Sequence, residues 1–368
     1  KKIELTFEQS KAYDTYSNML LNGGGSGLLY GVTGSGKTQV YLKLIDKALE
    51  NDRDVIVLVP EISLTPQVLS IFHARYGDKV AVFHSGLSLG ERNDEYKRAD
   101  RGEAKIVIGT RSAVFAPLHN LGLIIMDEEQ ENTYKSERTP KYNTKDVAHF
   151  RCKYNKALFL MTSATPSLET YSNALKGKYV LCELNERFGD AKLPHVITVD
   201  MKQEMKNGNK SPISSKLKEL ISETIDNGKQ AILLINRRGY NTFIACNDCG
   251  HVITCPNCSI SLTYHSTNNR LTCHYCGYTK SLDNVCPECH SENIRYSGYG
   301  TQKIEDELSY LFPNARILRM DADTTSAKFS HEKLFNAFAN HEYDIMIGTQ
   351  MVAKGLDFDN VTLVGVVN

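Results

Sequence analysis

The segment Gly31-Val32-Thr33-Gly34-Ser35-Gly36-Lys37-Thr38 fits G-x-x-x-x-G-K-[ST], a pattern that holds a polyphosphate. Gly31, Gly34 and Gly36 let the backbone curl, so that N–H groups around Thr33 and Ser35 face phosphate oxygens. A helix starting at this point adds the positive end of its dipole. Lys37 is expected to reach the outer phosphates, and Thr38 to ligate Mg²⁺. A second constellation, Asp127-Glu128-Glu129-Gln130, follows the apolar run Leu123–Met126. A carboxylate pair delivered by a buried strand suits ATP hydrolysis. Asp127 is expected to hold Mg²⁺, and Glu128 to orient and deprotonate the attacking water. Lys37, Asp127 and Glu128 are therefore the expected catalytic residues. Thr162-Ser163-Ala164-Thr165 ends another apolar run and reads either as a hydrogen-bond relay from the nucleotide site or as a helix cap. Gln9 offers an amide to an adenine ring, or else belongs to a helix start capped by Thr6.

Eight of the ten cysteines form four C-x-x-C pairs: Cys246/Cys249, Cys255/Cys258, Cys273/Cys276 and Cys286/Cys289. Each pair can place two thiolates on one tetrahedral ion, so the set predicts two structural Zn²⁺ sites. Gly250, Pro256, Gly277 and Pro287 directly follow cysteines, where tight knuckles need them. Redox pairs, disulfides and iron–sulfur ligation are poorer readings in a chain without an export signal. The knuckles can be paired in three ways. A nested arrangement is favoured, with Cys255, Cys258, Cys273 and Cys276 inside and Cys246, Cys249, Cys286 and Cys289 closing the insertion.

These residues need buried strands to position them. Apolar runs at Leu28–Tyr30, Val55–Val59, Val80–Phe83, Ile106–Ile108, Leu123–Met126 and Leu158–Met161 alternate with helical patterns. Runs that are apolar throughout suit a parallel sheet covered on both faces. The alternation predicts a doubly wound α/β domain over 1–185. A polar stretch over 186–210 reads as a linker. A second alternating unit follows at 211–245 and 291–368, with strands at Ala231–Ile235, Arg316–Met320, Ile345–Ile347 and Thr362–Val366. Its helices are expected at Leu217–Asp226, Lys303–Leu311 and Glu332–Phe338. The cysteine segment, 246–290, interrupts this unit as an insertion. Gly23–Gly27 reads as a flexible loop.

Lys and Arg total 43, as do Asp and Glu, so any nucleic-acid surface must be local. Such a surface is expected between Tyr134 and Lys156. There Lys135, Arg138, Lys141, Lys145, Arg151, Lys153 and Lys156 interleave with Tyr134, Tyr142, Phe150 and Tyr154. Cations meet phosphates while aromatics stack on bases, which suits single strands. The alternative is a solvated basic helix with its aromatics in the core. Ser85, Thr110 and Arg111 add phosphate contacts at strand ends. No apolar run reaches the ~20 residues of a membrane helix, so a cytoplasmic protein without a membrane partner is expected.

Together with Ile347–Phe358, these elements resemble a superfamily 2 helicase motor. The resemblance covers nearly the whole chain. It implies two RecA-like lobes, the second carrying the two-zinc insertion, with ATP between them and Gly355 and Asp357 joining the nucleotide site. Val59–Gln67, His84–Ser88, Gly109–Pro117 and Asn236–Tyr240 narrow the resemblance to the bacterial primosomal replication-restart helicases. That resemblance implies ATP-driven 3′→5′ unwinding of DNA at stalled forks and a role in primosome assembly. It implies helicase-loading proteins and single-stranded-DNA-binding protein as partners. It also makes the segment holding Lys135, Tyr142 and Lys145 similar to the family's DNA-facing aromatic-rich loop. The rival readings are a DNA or RNA translocase that never separates strands, and a zinc-stapled fork-binding platform with a regulatory ATP site. The family usually has His where Gln130 and Leu356 stand. Its arginine-rich final motif is expected beyond Asn368, so this chain alone is expected to hydrolyse ATP weakly or not at all.

Overall fold

Thr6 and Gln9 cap each other at the start of α1 (Phe7–Leu21). The Thr6 hydroxyl accepts from Gln9 N–H, and Gln9 Oε1 accepts from Thr6 N–H. The computed structural model describes residues 4–60, 66–84, 86–136, 139–187, 194–209, 211–235, 242–246, 248–265, 270–273, 275–281, 285–297, 301–320, 330–349 and 358–367. They fall into two units that meet between Val196 and Ile197.

In the first unit, α1 is followed by β1 (Gly25–Gly31), α2 (Lys37–Glu50), β2 (Asp54–Leu58), α3 (Pro66–Tyr76) and β3 (Val80–Phe83). Next come α4 (Leu89–Asp100), β4 (Ile106–Gly109), β5 (Leu121–Met126), α5 (Thr144–Asn155), β6 (Leu158–Ser163), α6 (Leu168–Leu175) and β7 (Val180–Leu184). The strands make one parallel sheet in the order β3-β4-β2-β5-β6-β1-β7. β2, β4, β5 and β6 are buried along their whole length. Val55, Val57, Leu123 and Ile125 pack under α1 and α2 on one face, while Ile56, Leu58, Ile124 and Met126 meet α5 on the other. This two-sided burial is why their sequence runs lack polar alternation.

The Gly23–Gly27 run is not a loose loop. Gly25–Gly27 begin β1 and pair with Leu158–Leu160. An added Cβ would lie 2.1 Å from the Ala157 carbonyl oxygen at Gly24, and 2.4 Å from the Tyr16 ring at Gly27. Tyr16 is fully buried across this bare strand, its hydroxyl donating to Leu28 O at 2.7 Å. A methyl group at Gly27 would overpack the site at a cost of about 1–3 kcal/mol.

The second unit begins with α7 (Met201–Lys206) inside the polar stretch. Glu204 accepts from Ser215 N–H at 2.7 Å, which ties α7 to α8 (Ser215–Asp226). After β8 (Gln230–Ile235) come five short strands: β9 (Thr242–Cys246), β10 (Thr263–His265), β11 (Arg270–Thr272), β12 (Thr279–Ser281) and β13 (Ile294–Ser297). They form an antiparallel sheet in the order β12-β11-β10-β9-β13. The cysteine-bearing sheet therefore extends beyond 246–290 at both ends. The chain continues through α9 (Thr301–Leu311), β14 (Ile317–Met320), α10 (Ser330–Ala339), β15 (Ile345–Gly348) and β16 (Val361–Val367). A second parallel sheet has the order β14-β15-β8-β16. Two doubly wound α/β units, the second interrupted by a cysteine-rich sheet, make up the fold. Among the described residues no helix is long and apolar enough to cross a membrane.

Candidate nucleotide, zinc and nucleic-acid sites

Gly31 ends β1, and the loop to α2 turns through left-handed backbone at Gly34 and Gly36, with φ of 78° and 76°. A Cβ at Gly36 would stand 2.4 Å from Gln9 Nε2, which itself donates to Ser35 O at 2.9 Å. Gln9 thus props the loop from below while completing the Thr6 cap. Both readings of its sequence concerned a single contact, but the carboxamide serves two. Lys37 Nζ donates to Gly31 O at 2.7 Å and Val32 O at 3.3 Å. Burial pushes the Lys37 ammonium down from its ordinary pKa, and the charges of Glu128 and Asp127 oppose that shift. Thr33, Gly34 and Thr38 are exposed. Ser35 Oγ is buried with no protein partner among the described residues. The N–H groups of the first turn of α2 have no helical acceptor. Glycine-shaped loop, helix start, lysine and an unpartnered hydroxyl all fit a bound polyphosphate.

Strand order brings the second constellation alongside. β6 lies between β1 and β5, so Gly31, Thr162 and Asp127 stand at neighbouring C-terminal strand ends. The Thr162 hydroxyl donates to Asp127 Oδ1 at 2.5 Å. Burial pushes the Asp127 carboxyl up, the Thr162 bond pulls it back, and the Glu128 charge pushes it further up. A hydroxyl from Thr38 and a carboxylate from Asp127 are hard oxygen donors suited to Mg²⁺. Glu128 has φ of 48°, a left-handed conformation unusual outside glycine. Gln130 Nε2 donates to Glu128 Oε2 at 2.6 Å, and Gln130 Oε1 accepts from Ser163 Oγ at 2.7 Å. The Thr162-Ser163 pair is therefore bonded into the carboxylate cluster.

Glu129 is 3% exposed. It accepts from Ser167 N–H at 2.6 Å, from Thr170 Oγ1 at 3.0 Å and from the Lys145 ammonium. Lys145, expected at DNA, makes an ion pair here. Tyr134, counted among the stacking aromatics, is buried. Its hydroxyl donates to Asp127 O at 2.6 Å and Leu58 O at 3.0 Å. Arg151 donates to Val114 O. Thr110, Arg111 and Tyr142 come together beside β4, and Tyr142 packs edge-on against Phe115 at 5.0 Å. Lys135 is exposed nearby, and its carbonyl accepts from Arg111 at 3.3 Å. Phe150 and Tyr154 are exposed on α5. Ser85, Arg138, Gly355 and Asp357 lie outside the described residues, as do Asn236–Tyr240 and 61–65 and 350–357.

The eight clustered cysteines form two groups, Cys246/Cys249/Cys286/Cys289 and Cys255/Cys258/Cys273/Cys276, each with its sulfurs within 4.8 Å of one another. Cys246–Cys289, Cys249–Cys286 and Cys255–Cys276 are separated by 3.5, 3.6 and 3.6 Å. A Zn–S bond of about 2.3 Å in a tetrahedron requires sulfurs roughly 3.8 Å apart, so the donor set fits Zn²⁺. All four knuckles share one backbone. Gly250, Ser259, Gly277 and His290 each donate N–H to the carbonyl of the first cysteine, at 2.9, 2.9, 2.9 and 3.0 Å. All four have positive φ, at 75°, 56°, 76° and 58°. Glycine flagged this turn in sequence at two knuckles; Ser259 and His290 adopt it without that signal. Backbone N–H groups near the sulfur, that of Cys249 foremost, lower the Cys246 pKa to about 7. That of Tyr278 is foremost in lowering Cys276 to about 7. Both shifts favour the thiolates a metal needs, whereas burial and the neighbouring sulfurs push Cys258 up to about 12, so a metal must displace its proton.

The DEAD/DEAH box helicase family matches residues 9–174. The PriA DNA helicase Cys-rich region (CRR) domain matches residues 255–280, which contain the inner cysteine group. The Replication restart protein PriA of Bacillus subtilis (strain 168) is 53% identical over 341 residues, covering 93% of this chain. The chain belongs to the PriA family. PriA of Synechocystis sp. is 46% identical over 99% of the chain. The chain spans 42% and 45% of those two proteins, about half the length of the PriA relatives it matches. A crystal structure of the DUF1998 helicase MrfA bound to DNA has the same fold, with a TM-score of 0.57 at 14% identity, covering 99% of this chain and 45% of MrfA. The two α/β units are accordingly RecA-like helicase lobes.

Proposed function

We propose that the chain is the motor core of an ATP-dependent DNA helicase of replication restart, unwinding 3′→5′ at stalled forks. One observation carries the reading: adjacent parallel strands of a PriA-family chain bring the Lys37 loop, Thr162 and the Asp127–Glu128 pair to one sheet edge. When bound, ATP with Mg²⁺ supplies the phosphoanhydride whose hydrolysis releases free energy. Lys37 turns from the Gly31 and Val32 carbonyls to neutralise the outer phosphates. Thr38 and Asp127 would hold the metal, with Thr162 fixing the Asp127 oxygen it bonds. Glu128 orients the water and takes its proton, its own carboxylate steadied by Gln130. Thr110, Arg111, Lys135 and Tyr142 contact a single strand. The two zinc clusters hold the insertion as a surface for DNA or for the loading proteins that act with this family.

ATP turnover with and without single-stranded DNA tests the motor, with Lys37→Ala as the blank. In the full-length protein, DNA-stimulated turnover that disappears in Lys37→Ala is expected, while this chain alone is expected to turn over ATP weakly or not at all. Fork binding that survives in full-length Lys37→Ala, with no turnover by the full-length protein either, would favour the platform with a regulatory ATP site. Partial duplexes with a 3′ or a 5′ single-stranded tail test direction, and only one polarity should be unwound.

A further inference from the structure

At the C-terminal ends of β2, β3 and β4 the first unit holds a concavity of about 430 Å³, within the ~300–1,000 Å³ range of small-molecule pockets. Its walls come from the ends of β2 and β3, from α4, from the turn after β4 and from the segment leading into α5. The lining has a definite chemistry. Phe83, Tyr96 and Tyr142 supply aromatic surface, Arg92 and Arg111 supply two guanidiniums, and Thr110 supplies a hydroxyl. No carboxylate lines it among the described residues. That composition excludes a cationic guest and suits a flat ring attached to an anion.

The walls are pre-positioned. Arg92 and Tyr96 are four residues apart on α4 and so share one helix face. Arg92 Nε donates to Leu87 O at 3.1 Å. Arg111 donates to Lys135 O at 3.3 Å, and Phe115 fixes the Tyr142 ring. Tyr96 keeps 48% of its surface exposed at the mouth. A strand that merely tracks along a surface needs a basic groove with stacking rings. A concavity with aromatic walls and two guanidiniums offers more, namely a seat for a base turned out of the stack.

We propose that this cavity receives one nucleobase of the bound single strand, seated against Tyr96 and Tyr142, with Arg92 and Arg111 on the adjoining phosphates. The proposal rests on the strand-binding reading given above. Its test pairs an oligothymidylate with an abasic oligomer of equal length, so that base and backbone contacts separate. Tyr96→Ala should weaken oligothymidylate binding roughly five- to a hundredfold and leave abasic binding unchanged. Tyr96→Phe should retain wild-type affinity, and Arg111→Ala should weaken both oligomers. Equal losses on both oligomers in Tyr96→Ala would overturn the base seat, because the ring would then act on the fold or the backbone. So would an unaltered Tyr96→Ala alongside a weakened Arg111→Ala, an outcome that leaves strand binding at this face standing. If neither variant changes either affinity, strand binding here fails as well.

Discussion

Gln130 is bonded at both ends of its carboxamide, to Glu128 on one side and Ser163 on the other. The proposed water-activating carboxylate is thus aimed by a neutral amide anchored on β6. Gln130→Ala and Ser163→Ala each free that carboxylate, and each should lower ATP turnover on the order of tenfold or more while nucleotide binding holds. Because the two residues act as one chain, the double variant should be no slower than the worse single variant. Steady-state kinetics checks this, and additive losses would show separate roles. The placement of Lys37, Asp127 and Glu128 at strand ends was legible in sequence because each sits at a fixed offset from an apolar run. Tyr134 was not. Its hydroxyl bonds Asp127 nearby and Leu58 on the distant β2, and no local pattern separates it from the exposed Phe150.

At the scale of elements, Glu129 and Lys145 join the end of β5 to α5 and, through Ser167 and Thr170, to α6. Removing one member of a buried pair leaves an uncompensated charge. Lys145→Met should therefore destabilise the first unit by about 3–5 kcal/mol in urea unfolding. Glu129→Gln combined with Lys145→Met should recover much of that loss. A Lys145→Met chain of unchanged stability but weakened strand affinity would return Lys145 to the nucleic-acid face. The central strands of both parallel sheets, β2, β4, β5, β6, β8 and β15, could be read from sequence because two-sided burial makes them apolar almost throughout. β7 escaped notice because it is an edge strand with its first residue exposed and its middle half-buried. The glycine run was misread for a different reason. Composition suggests flexibility, whereas Ala157, remote in sequence, crowds Gly24 and the Tyr16 ring of α1 crowds Gly27.

Across the whole molecule, the cysteine-rich sheet differs from the two lobes in what holds it. Among the described residues its apolar core is small, built around Ile253, Leu262 and Leu271, with the buried sulfurs of Cys255 and Cys273 as part of it. A sheet with so little to bury needs its metal to fold. Chelation should release two zinc ions per chain and melt this sheet, while the first lobe keeps its nucleotide affinity. Atomic absorption, circular dichroism and nucleotide titration on one sample check all three. Loss of nucleotide affinity along with the zinc would show that the lobe depends on the insertion.

The strand order of the first lobe also governs when its nucleotide site can exist. β1 carries the phosphate loop and is the first strand of its lobe to be translated, yet its sheet partners among the described residues are β6 and β7, which come last in that lobe. A nascent chain therefore exposes the finished loop sequence long before the loop has a sheet to stand on. Until Leu184 has cleared the ribosome, ATP finds no folded site to bind and cannot protect the growing chain from proteases or misfolding.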